Sequence, residues 1–312
     1  MTTTGLARLE VQSVTWKGLT WVNVERPTMA EMEYLRARFN FHPLALDDCL
    51  SRVQLPKVDE FDDHIFLVLH FPLFSKQMRL TLPSQVAIFA GASYVVTVHR
   101  GELKPLVKLF ADCVQSEAVR DELMARSSGY LLYRILDVLV DYCFPILGKI
   151  MEQVDDIEHH LFERQTRAIA ERLSFVRRDI IAFRRIIRPQ IAVMELLERR
   201  EYPFLKVDPD VYYGDLADHT RRIWAELEEL REVTQGLNET LFTLSSQLSN
   251  DALRILTVIF TALLPITIIG TLYGMNVHLP LANNAHAFWI ATGAGALLGL
   301  AMWVWFRLNK WV

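Results

Sequence analysis

The most informative chemistry in this sequence lies in a stretch that has polar atoms but no ionised side chain. Residues 255–306 contain no Asp, Glu, Lys or Arg, and the tripeptide Gly274-Met275-Asn276 lies near their middle. Asn276 offers a neutral carbonyl oxygen and threonines precede it, so the available groups are hydrogen-bond acceptors rather than nucleophiles. The sequence shows no nucleophile–base constellation, phosphate-binding loop or dinucleotide fingerprint, and we expect no enzymatic activity.

Two apolar segments flank the tripeptide, at residues 255–272 and 287–306. About 20 helical residues cross the ~30 Å hydrocarbon core of a bilayer. Neither segment has the charged outer face that a soluble helix of this length would show. We therefore predict two membrane-spanning helices joined by a short loop at 273–286. Two spans cannot enclose an aqueous pore alone, so any transport would require an oligomer.

The distribution of basic residues predicts the orientation of these spans. Arg254 precedes the first span and Arg307 and Lys310 follow the second, whereas the loop between them has no Lys or Arg. By the positive-inside bias, both termini should be cytoplasmic and the tripeptide should face the outside. The N-terminus lacks the features of a secretory signal, so we expect the body before residue 255 to stay in the cytoplasm.

Composition argues against nucleic acid as a partner and against a cysteine-based zinc site or disulfide framework. All basic residues except Arg307 and Lys310 precede the spans, which leaves 31 basic and 37 acidic side chains there. This mild acidic excess argues against nucleic-acid binding; it is compatible with attracting cations, but is also ordinary for a soluble domain. The three cysteines, Cys49, Cys113 and Cys143, are widely spaced, so we predict buried thiols and neither a zinc site nor a disulfide framework.

The pattern before the spans changes from strand-like to helical. Alternating segments at 11–16 and 19–24 flank a turn signal, and further strand-like runs and a short helix follow, which predicts an α/β domain with a mixed sheet. Apolar residues then recur at helical spacing from about residue 130. Beyond a break near residue 203, a heptad series extends to the first span, formed by Leu216, Ile223, Leu230, Leu237 and Leu244. We predict a stalk helix continuous with that span, packed around an oligomer axis or on its own domain.

Several motifs together resemble those of the CorA family of divalent-cation channels. Residues 273–276 read YGMN between two spans, residues 42–50 resemble the family's HPLAxED segment, and residues 56–64 resemble its RPKxxxxDD segment. Residues 215–219 correspond to the start of the family's stalk helix, and residues 249–251 correspond to positions just before its pore-lining span. The resemblance covers nearly the whole chain. It implies an α+β membrane protein that assembles as a homopentamer, with the first span lining the pore.

These observations predict a consecutive organisation of the chain. The segments are a cytoplasmic α/β domain at 1–126, long helices at 127–207, a stalk helix at 208–254, a pore-lining span at 255–272, an outer loop at 273–286, a second span at 287–306 and a cytoplasmic tail at 307–312. The resemblance further implies location in the bacterial inner membrane. The implied partners are other copies of this chain, the lipid bilayer and divalent cations, without nucleic acid.

The resemblance implies that Gly274, Met275 and Asn276 form a selectivity ring at the outer mouth. Mg²⁺ gives up its water reluctantly, so a ring of Asn276 carbonyls would accept hydrogen bonds from the hydrated ion. Gly274 would permit a sharp turn at the helix end. Helical steps of three and four and the family positions together predict the pore lining: Asn250, Leu253, Leu256, Leu264, Thr267 and Thr271. Phe260 has the same spacing, and it would either plug the pore or lie off its axis. Each threonine hydroxyl could instead bond to a carbonyl of its own helix.

The resemblance also implies that acidic residues bind Mg²⁺ between subunits and hold the channel closed. Asp215 matches one such position, but its partner is not readable from the sequence. Other acidic residues along the stalk are alternatives: Asp218, Glu226, Glu228, Glu229 and Glu239. We expect Mg²⁺ as the transported and regulatory ion, and no tightly bound cofactor.

Two departures from the family pattern leave alternatives open. The outer loop has no acidic residue after the tripeptide, whereas His278 and His286 could favour Zn²⁺, Co²⁺ or Ni²⁺. The tail 307–312 is less basic than is usual in the family, which predicts different gating. The alternatives are therefore a relative selective for those ions, or a pentameric scaffold or sensor that does not conduct.

Overall fold

A computed structural model describes residues 9–51, 54–75, 77–78, 80–162, 166–275, 286–309 and 311. Its contacts divide the chain into two compact units, Met1–Leu237 and Asn238–Val312. The first unit holds a sheet and most of the helices, and the second holds the apolar segments.

The first unit contains a six-stranded mixed sheet with the order β1-β2-β6-β5-β4-β3. Strand β2 is parallel to β6, and the other neighbours are antiparallel. Lys17 and Gly18 join β1 to β2 with φ angles of 46° and 87°, as a tight hairpin turn requires. The strands are β1 (Val11–Trp16), β2 (Leu19–Glu25), β3 (Lys57–Glu60), β4 (His64–Ser75), β5 (Leu80–Gly91) and β6 (Tyr94–His99). The predicted mixed sheet is confirmed.

Four short helices cover this sheet, and aromatic rings fill the space beneath two of them. Helices α1 (Met29–Phe39) and α2 (Pro43–Leu50) follow β2, and α3 (Lys104–Gln115) and α4 (Glu117–Met124) follow β6. Phe41 stacks on Phe89 of the sheet with 3.9 Å between ring centroids. Thr28 and Glu31 form a capping box at the start of α1. All three cysteines are buried, as predicted.

The long helices of the first unit follow the sequence pattern except that one predicted helical run is divided in two. The helical run from residue 130 is two helices, α5 (Ser128–Asp141) and α6 (Cys143–His159), separated at Tyr142. Pro145 explains the break, because it has no N–H to donate to the carbonyl four residues earlier and its ring crowds that carbonyl. Helix α7 (Thr166–Arg199) then runs back, and a turn at residues 200–208 leads into α8 (Pro209–Tyr273).

Among the residues that the structure describes, two helices are long and apolar enough to cross a membrane, α8 and α9 (Ala287–Leu308). Helix α8 has 65 residues and continues through Pro265, so the predicted stalk and first span are one helix. With the mixed sheet and long helices, the predicted fold class of an α+β membrane protein is confirmed.

Glycines bring α9 close to α8 within the second unit. A Cβ atom added at Gly299 would overlap the carbonyl oxygen of Ala262, and one at Gly295 would lie 3.0 Å from Cα of Ile266. Val258, one turn before Ala262, is 2% exposed. In lipid no hydrophobic force drives two helices together, so their association depends on close packing. Small residues permit this packing because they let the backbones approach. The contact fixes which face of α8 is turned toward α9.

This contact predicts a position-dependent effect of adding one methyl group. Gly299→Ala should destabilise the protein in detergent by about 1–3 kcal/mol, because the helices must separate to admit the Cβ. Gly293→Ala is the matched control, since a Cβ there meets nothing within 4 Å. Thermal unfolding checks both variants. Equal stability of the two variants would contradict the assigned contact.

Candidate functional site

The face of α8 opposite α9 contains most of the residues predicted to line a pore. Successive residues of a helix are about 100° apart. Measured from Ala262, which faces α9, four predicted residues lie within roughly 40° of the opposite direction. They are Leu253, Leu264, Thr267 and Thr271. Leu253 and Leu264 are 60% and 53% exposed, so nothing in this chain covers that face among the residues described.

The remaining predicted residues of α8 fall elsewhere on the helix. Asn250 and Leu256 lie on its two flanks, each about 120° from Ala262. Phe260, for which the sequence predicts a plug or an off-axis position, lies on the same face as Leu253 and Leu264 and is 63% exposed. The exposed face therefore alternates large apolar side chains with threonines.

The threonine hydroxyls of this face donate to their own helix. Thr257 Oγ1 donates to the carbonyl of Leu253 at 2.8 Å, and Thr267 Oγ1 to that of Leu263 at 3.0 Å. Thr271 does the same with Thr267 at 3.0 Å. This back-bonding uses the hydroxyl hydrogen but leaves the oxygen lone pairs. Because the waters around a cation point their hydrogens outward, such oxygens remain suitable acceptors for a hydrated ion.

Helix α8 ends immediately before the predicted selectivity residues. The N–H groups of Gly274 and Met275 bond to the carbonyls of Gly270 and Leu272, which closes the last turn. The φ angle of Gly274 is not positive, so the turn at this residue does not need the conformational freedom of glycine. Asn276 and His278 lie outside the described residues, and His286 directly precedes α9.

A second group of polar side chains lies within the first unit, where α5 meets α8. Ligand atoms of Asp137, Asp141 and His219 all lie within 4.8 Å of one another. Asp215 belongs to the same group, with its Oδ1 3.7 Å from Nε2 of His219. Nδ1 of His219 is buried without a hydrogen-bond partner and lies 3.9 Å from Oδ1 of Asp141. We call these four residues the acidic cluster.

The sequence positions these side chains by helical spacing. Asp137 and Asp141 are four residues apart on α5, and Asp215 and His219 are four apart on α8, so each pair shares a helix face. The Phe144 ring packs edge-on to the His219 ring at 5.7 Å between centroids. Nη1 of Arg134 donates to Oδ2 of Asp137 at 2.8 Å and brings a positive charge to this group.

Electrostatics within the acidic cluster favour an added positive charge. Burial raises the pKa of Asp137 above its usual range, and the negative charges of Asp141 and Asp215 raise it further, although Arg134 and His219 oppose them. Burial, helped by Asp137 and Asp215, also raises the pKa of Tyr133 to about 12. A bound dication would relieve this repulsion, and carboxylate and imidazole groups are suitable ligands for it.

The sequence alone identifies only Asp215 as a member of this group and does not show its partner. The structure brings Asp137, Asp141 and His219 of the same chain to it. The spacing of four in both helices was an available signal, but only the fold shows that the two faces meet.

The alternative stalk residues are mostly engaged in ion pairs. Asp218 pairs with Arg221, Glu226 with Arg222, and Glu228 with Arg184 and Arg231. These pairs neutralise the carboxylates. They are weaker candidates for holding a dication than the acidic cluster.

Comparison with known proteins identifies a family whose model covers nearly the whole chain. A family model described as CorA-like Mg²⁺ transporter protein matches residues 16–308. The chain is 28% identical over 307 residues to the putative metal ion transporter YfjQ of Bacillus subtilis, covering 98% of this chain and 93% of YfjQ. It is 26% identical over 295 residues to the cobalt/magnesium transport protein CorA of Thermotoga maritima, covering 94% and 83%.

A solved structure shows the same fold along nearly the whole chain. The complete structure of the CorA magnesium transporter from Methanocaldococcus jannaschii superposes with a TM-score of 0.82 at 23% identity. The match covers 96% of this chain and 94% of that chain. The similarity therefore includes the α/β domain as well as the two apolar helices.

The acidic cluster predicts that a divalent cation stabilises the folded protein. A ligand that binds only the native state adds about 2.7 kcal/mol at a hundred times its Kd. Adding Mg²⁺ or Co²⁺ to EDTA-treated protein in detergent should therefore raise its Tm. Asp137→Asn should reduce this rise, because it removes one ligand without changing shape.

Asp218→Asn is the control for this experiment, since it removes a nearby stalk carboxylate that pairs with Arg221. It should keep the wild-type response to cations. The same rise in Tm for wild type and Asp137→Asn would exclude Asp137 from cation binding.

Proposed function

The chain belongs to the CorA family of Mg²⁺ transporter proteins, and from this premise we propose that it is a channel for divalent cations, foremost Mg²⁺. Transport would run down the electrochemical gradient across a bacterial inner membrane. The observation that carries this proposal is the two-sided character of α8 in the apolar region. One face packs on α9 through Gly295 and Gly299, and the opposite face is exposed and repeats threonine and leucine.

An oligomer follows from the number of spans. Two helices cannot surround a water-filled path, but several copies of α8 around one axis can. We propose a homopentamer in which the apolar part of α8 faces the axis and α9 surrounds the ring. The heptad residues Leu216, Ile223, Leu230 and Leu237 are buried within their own chain, so they pack the stalk on its own domain and not around the axis. Basic residues at Arg254 and Arg307 support cytoplasmic termini and an outer position for residues 273–286.

The chemistry of the exposed face suits an ion that keeps its water. Mg²⁺ binds proteins with several waters retained, so neutral acceptors serve better than a cage of charges. In the proposed channel, Asn276 accepts hydrogen bonds from these waters at the outer mouth, with Gly274 and Met275 shaping the ring. Thr267 and Thr271 offer further oxygens, and Leu253 and Leu264 form constrictions that close by excluding water.

The acidic cluster supplies the proposed regulation. Asp215, together with Asp137, Asp141 and His219, would bind a cytoplasmic dication when its concentration is high and stabilise the closed state. Such an ion shifts the equilibrium only if it binds the closed state more tightly than the open state. Because the site would include α8, occupancy acts directly on the helix that we assign to the pore.

Transport of Zn²⁺, Co²⁺ or Ni²⁺ is the second candidate function. His219 in the acidic cluster, and His286 before α9, offer imidazole, which these ions prefer to a greater degree than Mg²⁺ does. The outer loop adds His278 and has no acidic residue to attract cations by charge.

Replacing Asn276 tests the proposed channel. Asn276→Ala removes five acceptors at once from a pentamer, each contributing about 1 kcal/mol. Since 1.4 kcal/mol corresponds to tenfold, Mg²⁺ flux into liposomes should fall by more than about tenfold. Parallel assays with Zn²⁺, Co²⁺ and Ni²⁺ identify the preferred ion.

The mass of the complex in detergent is the control, and it should be five subunits for wild type and variant alike. Wild-type flux in Asn276→Ala would make the tripeptide an ordinary turn. A pentamer without flux of any of these ions would favour the scaffold instead.

Replacing His219 tests which ion the acidic cluster senses. His219→Ala should weaken protection of the cytoplasmic part from protease by Co²⁺ more than protection by Mg²⁺, because imidazole contributes mainly to Co²⁺ binding. Asp215→Ala should weaken protection by both ions. Unchanged protection in Asp215→Ala would remove the cluster from sensing.

A further inference from the structure

Trp311, which lies beyond the end of α9, contacts other residues of the second unit. The N–H of Trp311 donates to the carbonyl of Phe306 at 2.9 Å, and the rings of these residues lie 5.4 Å apart between centroids. The Trp311 ring also lies beside α8, where Cζ of Arg254 is 5.9 Å from the ring centroid. A guanidinium at this distance is attracted by the negative face of the indole.

Arg254 is the last ionised residue before the uncharged stretch of α8. It lies one turn before Val258, the buried residue on the α9 side, and next to Leu253 on the opposite, exposed face. The long, flexible arginine side chain lets its charge be placed toward either face of the helix. In this structure the guanidinium lies on the side of Trp311.

The position of this charge matters if α8 lines an ion path. A guanidinium repels a dication with twice the energy it would have for a monovalent ion, and the effect grows as the local dielectric constant falls. In a symmetric oligomer every subunit would add the same positive charge at the same level. Arginines directed toward the axis would form a barrier to entry or exit of Mg²⁺.

We propose that Trp311 is a positioning residue that holds the Arg254 guanidinium on the α9 side of α8, away from the ion path. The inference rests on the proposed channel function and adds a role for the C-terminal tail. Arg254 could then orient the span from the membrane boundary, and the contact with Trp311 would keep its charge from slowing the flux of cations.

A second arginine–tryptophan pair provides a contrast within the same unit. Cζ of Arg307 lies 5.4 Å from the Trp303 ring, but both residues belong to α9. Tryptophan is common at the membrane–water boundary, and this pair needs no further role. Trp311 differs because its arginine partner belongs to α8.

Flux of Mg²⁺ into liposomes containing the full-length protein tests this role. Trp311→Ala should lower flux by about tenfold at low salt, because one sign of charge in a confined path changes local ion concentration by that order or more. High salt should restore much of the flux, since the Debye length falls from about 10 Å at 0.1 M to about 3 Å at 1 M. Trp311→Phe, which keeps an aromatic face, should be close to wild type.

A double variant separates charge placement from simple packing. Arg254→Gln combined with Trp311→Ala removes the charge that Trp311 would hold, so flux should return to within about twofold of wild type. Trp303→Ala is the matched control and should leave flux and its salt dependence unchanged. Detergent mass measurement confirms that each variant keeps the wild-type assembly.

The outcomes distinguish this inference from the function on which it rests. Absence of wild-type flux would overturn the proposed channel itself. With an active wild type, unaltered flux in Trp311→Ala would overturn the role of Trp311. A double variant as slow as Trp311→Ala would also overturn it, because the loss would then come from packing.

Discussion

The orientation of α8 about its own axis, meaning which of its faces packs on α9, is the constraint on which the functional interpretation depends. Gly295 and Gly299 let α9 approach the backbone of α8 at Ala262 and Ile266, so that face is committed to the second helix. The face left over contains Leu253, Leu264 and the threonines. A larger residue at Gly299 would change the face that is available and not merely the stability.

The same helix joins two different kinds of cation chemistry. In the apolar region its polar atoms are neutral, and they suit a hydrated ion that must leave again. In the first unit Asp215 and His219 meet Asp137 and Asp141, where burial and like charges raise the pKa of Asp137. Neutral oxygens favour passage and clustered carboxylates favour retention, so one helix carries both a proposed path and a proposed sensor.

The sequence was sufficient for features that repeat along the chain. The two spans, the unbroken α8 and the mixed sheet follow from hydropathy, heptads and alternation, and the motifs identified the family. It was insufficient where distant segments meet. Asp215 had no visible partner because Asp137 lies 78 residues earlier on another helix, and Pro145 divides a helical pattern that periodicity alone reads as continuous. The contact of Trp311 with Arg254 likewise arises only from the fold.

The most direct test of the central claim is chemical modification of single cysteines on the two faces of α8. Thiol reagents added during Mg²⁺ flux should block Leu264→Cys, on the exposed face, and spare Ala262→Cys, which packs against Gly299. The three native cysteines are buried, which keeps the background low. Block at residue 264 alone is the predicted result. Block at 262 without block at 264 would contradict the assigned pore face.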